Sequence, residues 1–84
     1  MSGDHRQLAM YYEQQAQDMK MKAQQWEFAA DYYEKFPAEV HGKMTAAEHI
    51  AHCKAIAADF RKAQKDNEAL AEKHRGLVRQ GVGP

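Results

Sequence analysis

The chain has 84 residues, of which 44% are hydrophobic and 29% charged, and its formal net charge is zero. That is one small globular domain at most, neither a disordered chain nor a membrane-embedded one. Neutral charge also lacks the basic footprint of nucleic-acid binders, and no run approaches the ~20 apolar residues of a membrane span. The single cysteine, Cys53, excludes an intrachain disulfide. Met1-Ser2-Gly3-Asp4 is not a basic-then-apolar signal pattern, so the expected compartment is cytoplasmic as written, or periplasmic if a signal peptide was removed.

Asp4 with Gln7 three residues on suits a capping box, and nothing breaks helix until Pro37. Proline pushes its predecessor out of the α region, so a first helix is expected over about residues 4–36. Its inner face reads at heptad spacing. His5, Tyr12, Met19, Trp26 and Tyr33 form one row, and Ala9, Ala16, Ala23 and Ala30 form the next. Large residues beside an unbroken alanine row describe a helix that lies close against another. Arg6, Glu13, Lys20, Glu27 and Glu34, also seven apart, read as an outward polar row.

Residues 37–44 form the one interior break, with Pro37 and Gly42 marking a turn and His41 a solvated loop residue. Val40 and Met44 are expected to tuck over the end of the bundle. Thr45-Ala46-Ala47-Glu48 is a Thr-x-x-Glu capping box opening a second heptad pattern. The inner rows there include Cys53 and Phe60, His49, Ile56 and Leu77, and Ile50, Ala57 and Ala71. This helix is expected over about residues 45–75, stopped by Gly76 after Lys73-His74-Arg75, or to residue 80, with a frayed tail at 81–84.

Two helices of matched length and a short connection make an all-α antiparallel hairpin. Residues 1–36 carry four basic and six acidic groups, net −2, and residues 45–80 carry seven and five, net +2. A turn near residue 40 pairs positions whose numbers add to about 81. That register sets Gln15 opposite Asn67 as a polar layer, places His5 near His74, and brings the Trp26–Tyr33 segment to His49 and Cys53. Two helices cover only one side of each other, and the first helix has further apolar groups at Tyr11, Tyr32, Met21 and Phe28. Units of this size rarely bury enough to fold alone, so a homodimer closing a four-helix bundle is expected.

No catalytic reading stands up. Ser2 and the cap residue Thr45 are the only hydroxyl candidates besides tyrosine, and no phosphate loop or His-Glu-x-x-His is present. Regular helices also leave few free N–H groups for an oxyanion. The expectation is therefore a non-enzymatic binding or structural module. The alternative is a small metal or haem site. His49-x-x-His52-Cys53 puts two imidazoles and a thiol within one turn, and His5 with His74 forms a second pair. His49, His52, Cys53, His5 and His74 are the candidate ligands, for copper or zinc by donor type. Haem would have to be held non-covalently, because Cys-x-x-Cys-His is absent. Each of these residues also has an ordinary structural role open to it: histidines that bond a neighbour, and a cysteine that fills core.

His5-Arg6-Gln7-Leu8-Ala9 with Tyr12, Ala51-His52-Cys53, and Leu70-Ala71-Glu72-Lys73-His74-Arg75 together resemble small bacterial α-helical hairpin proteins, many of them exported. The resemblance implies a periplasmic setting and a metal-related role. It also implies a histidine where this chain has Trp26, so a shared site would be rearranged here.

Overall fold

The computed structural model describes residues 2–81, with side chains from Asp4 onward. Helix α1 spans Ser2–Lys35, a single 3-10 turn spans Pro37–Glu39, and helix α2 spans Ala46–Arg79. The two helices lie against each other as a hairpin of 57 × 17 × 13 Å. Helix length accounts for most of the long axis, since 34 residues rise roughly 50 Å.

The alanine row closes the seam. Ala9, Ala16, Ala23 and Ala30 are all buried, and Ala23 is wholly inaccessible. Cys53, Ala57 and Ala71 are their buried counterparts on α2. Among the described residues no side chain larger than cysteine is fully buried, so the backbones approach closely and the large residues are displaced to the sides. Seam contacts hold the expected register: His5 with His74, Lys22 with Phe60, and Tyr33 with His49, residue numbers adding to 79, 82 and 82.

Two local expectations, the start of α1 and the place of Met44, are corrected, and one left open is decided. Helix α1 begins at Ser2, so Asp4 lies in the first turn rather than at the cap. A carboxylate there still complements the positive end of the helix dipole. Of the two ends expected for α2, the structure takes the longer: the helix passes Gly76 and runs to Arg79, and Gly81, with φ +70°, takes the left-handed position, its N–H donating to the Val78 carbonyl. Leu77 and Val78 explain the extension, because they continue the inner rows and half-bury themselves. Met44 is exposed rather than tucked over the bundle end, whereas Val40 is half-buried. The expected fraying beyond Gly81 lies outside the described residues.

The start of α2 is as expected. Thr45 Oγ1 accepts from the Glu48 N–H at 3.1 Å, and Glu48 Oε1 accepts from the Thr45 N–H at 3.3 Å. Across the connection, Tyr32 donates its hydroxyl to Glu39. That bond holds the Tyr32 phenol above its ordinary range, because the carboxylate stabilises the protonated form.

Candidate functional site

The hairpin has two flanks beside its seam, and they differ in chemistry. On one flank the row read as outward-facing meets a complementary row on α2. Glu34 pairs with Lys54 at 2.6 Å, Glu27 with Arg61 at 2.8 Å, and Glu13 with Arg75 at 3.2 Å. Arg61 engages Glu27 bidentately through Nε and a terminal nitrogen, at 2.9 and 2.8 Å. These bonds hold the Glu27 carboxyl below its ordinary range and raise the Arg61 guanidinium, while Glu34 likewise raises the Lys54 ammonium. Arg75 also reaches Glu72, which Arg79 and then Arg75 hold below the usual carboxylate range.

Sequence reasoning missed this zipper, although the signal was available. Positions 13, 20, 27 and 34 read acid, base, acid, acid; positions 75, 68, 61 and 54 read base, acid, base, base. Every facing pair is opposite in sign.

Among the described residues, the other flank carries no ion pair between the helices and is mixed, with apolar ends: on α1 and the segment beyond it the row is Leu8, Gln15, Lys22, Ala29 and Phe36, and on α2 it is His49, Ile56, Ala63, Leu70 and Leu77. Leu8, Phe36 and Leu70 are exposed, and the others on α2 are half-buried. Lys22 lays its ammonium over the Phe60 ring at 5.7 Å instead of leaving the flank. Met21 and Phe28, 52% and 71% exposed, lie farther around α1, with Asp18 and Gln25 on the row between.

The polar layer takes a different form from the expected one. Asn67 donates its amide to the Ala63 carbonyl at 2.8 Å, an i−4 back-bond within α2, rather than to Gln15. Gln64 accepts from Arg61 at 2.9 Å and donates to Glu68 at 3.4 Å, so it serves the charged flank.

The five candidate ligands separate into two places. Near the connection, His49 Nε2 lies 3.8 Å from Cys53 Sγ, and the Tyr33 ring meets the His49 ring edge-on at 4.8 Å between centroids. Cys53 is fully buried. His52 is exposed and does not join them; consecutive helical residues point about 100° apart and cannot share a face. At the open end, His5 and His74 face each other with Nδ1 atoms 3.0 Å apart, and Tyr12 lies parallel to His74. Among the described residues, no group of three or more His, Cys, Asp or Glu is placed to hold one metal ion. The alanine seam leaves no room for a macrocycle between the two helices, so a haem would have to sit outside the seam.

Among the described residues, no helix is long and apolar enough to cross a membrane. Comparison of the chain with protein-family models, with curated proteins and with solved structures found no match.

Proposed function

We propose that this chain is a non-enzymatic helical-hairpin module that associates with a second copy through its flank with apolar ends, closing a four-helix bundle. The observation that carries the reading is the asymmetry of the two flanks: one is zipped by interhelical ion pairs, and the other presents aliphatic and aromatic side chains to water. Large exposed apolar groups gathered on one flank belong to interaction surfaces.

Area supports the same reading. A compact monomer of 9.6 kDa has roughly 5,100 Å² of accessible surface by the usual mass scaling, whereas this hairpin has 5984 Å². The excess of about 900 Å² is the size of one partner's share of a standard interface, ~800 Å². Shape agrees, since the radius of gyration is 18.1 Å where about 12 Å is usual for this length. A twofold pairing of like flanks removes both from water at once and leaves the charged flanks outside.

A single charge placed on each flank tests the reading. Leu70→Lys should convert the protein to monomer, with reduced helicity at low concentration. Glu27→Lys, on the ion-paired flank, should leave the associated mass unchanged. If Leu70→Lys retains the wild-type mass in light scattering, this flank is not the interface.

A further inference from the structure

We propose that His5 and His74 form a two-imidazole site for monovalent copper at the open end of the hairpin, with the two Nδ1 atoms as ligands. The geometry of the pair carries the inference. The Nδ1 atoms are 3.0 Å apart, the ring centroids 5.2 Å apart, and the ring planes 25° from parallel. A ring nitrogen lies roughly 1.1 Å from its centroid when ring bonds are near 1.33 Å. Two such radii added to the nitrogen separation reach the full centroid distance, so centroid, nitrogen, nitrogen and centroid lie nearly on one line. The rings therefore meet edge to edge in almost a common plane, and each Nδ1 lone-pair axis is aimed at the other nitrogen. Face-to-face stacking is incompatible with these two distances taken together.

In the metal-free protein this arrangement is an N–H···N hydrogen bond, one Nδ1 protonated and the other bare. The same collinear approach of two neutral donors is what a two-coordinate linear ion requires. Copper(I), with a filled d shell, adopts that coordination, and imidazole is a suitable copper ligand. Tetrahedral zinc fits less well, because its ligand axes converge at an angle and it needs further donors. No third His, Cys, Asp or Glu is grouped with this pair among the described residues.

On binding, the histidine that donated the hydrogen bond shifts its proton from Nδ1 to Nε2, and both rings ligate as neutral imidazoles. With metal–nitrogen bonds of about 2 Å, a linear pair spans about 4 Å, so the nitrogens must separate by about 1 Å. The pair stands near the first residues of α1 and the last turns of α2, at the end away from the connection, where a hairpin opens most easily. Tyr12, with its ring 11° from parallel to His74 at 5.7 Å, fixes the plane of one ligand. Both ligands belong to a single hairpin, so the site does not depend on self-association.

The test is an anaerobic titration of the whole protein with copper(I) against a colorimetric chelator, together with X-ray absorption of the loaded wild type. The expected result is one copper(I) per chain in a linear shell of two nitrogens at about 2 Å, without sulfur. His5→Ala and His74→Ala should each weaken binding more than ~100-fold, beyond what changes outside the ligand shell cost. Cys53→Ser and His49→Ala should leave binding unchanged. Absence of stoichiometric binding, sulfur in the copper shell, or full binding by the His5→Ala/His74→Ala double variant would each overturn the inference. The wild-type spectrum decides the ligand type even if a variant fails to fold.

Discussion

Ala23→Leu probes the feature on which the hairpin depends most, the closeness of its two helices. Ala23 has no accessible surface and sits in the middle of a row in which every member is buried. Leucine adds three carbons where no space exists, so either α2 is pushed outward along the seam or the new side chain leaves its rotamer. Overpacking of this kind costs about 1–3 kcal/mol. For a domain of this size each kcal/mol moves Tm by roughly 4–8 °C, so a mid-range cost of about 2 kcal/mol predicts a fall of roughly 8–16 °C. Ala55→Leu, at an exposed position on the outer face of α2, makes the same chemical change without the crowding and should stay within ~0.5 kcal/mol. Circular-dichroism melts of both variants at one fixed protein concentration provide the comparison, since association makes Tm concentration-dependent. Equal melting temperatures for the two variants would refute the closed alanine seam.

Other consequences can be checked on the same instrument. Gly76 is an interior helical residue whose added Cβ meets only the Arg79 side chain at 3.8 Å, so Gly76→Ala should stabilise by about 0.5–1 kcal/mol. Gly42 holds φ +103°, so Gly42→Ala should destabilise despite open space around it; stabilisation there would contradict the assigned turn. Thr45→Ala removes half of the capping box and should cost about 1 kcal/mol, read as a lower urea midpoint. Glu27 and Glu72 both have folded-state pKa values below the ordinary 4.5. A depressed carboxylate contributes stability that is present above its unfolded value and is lost as pH falls through the folded one. Stability should therefore drop on the acid side of that value, and less steeply in Arg61→Met. An identical acid slope in that variant would show that the Arg61–Glu27 pair is not responsible.

Much of the fold was legible because helical burial repeats. The alanine row at 9, 16, 23 and 30 identified the seam, and all four residues are buried. Thr45-x-x-Glu48 marked the start of α2 by its own capping chemistry. Ends governed by competition were harder to read. The end of α2 stayed open between Gly76 and residue 80 because the two effects compete: a helical glycine costs only about 1 kcal/mol, and half-burying Leu77 and Val78 outweighs it. Charge was read within each helix, where Glu13, Glu27 and Glu34 look like a solvated stripe; their partners become visible only when the two sequences are laid antiparallel. At the candidate ligands, the register brought His5 to His74 from number alone. The inward and outward fates of Cys53 and His52 follow from the 100° step between neighbours, a constraint that their adjacency in sequence hides.

The mass of the folded protein is the most direct measure of whether the unequal flanks draw two hairpins together. Sedimentation equilibrium of the wild-type chain at micromolar concentration, with helicity recorded on the same sample, should give a species near twice 9.6 kDa. A fully helical, cooperatively melting species at 9.6 kDa would mean that the flank with apolar ends needs no second copy, and would contradict the proposed bundle.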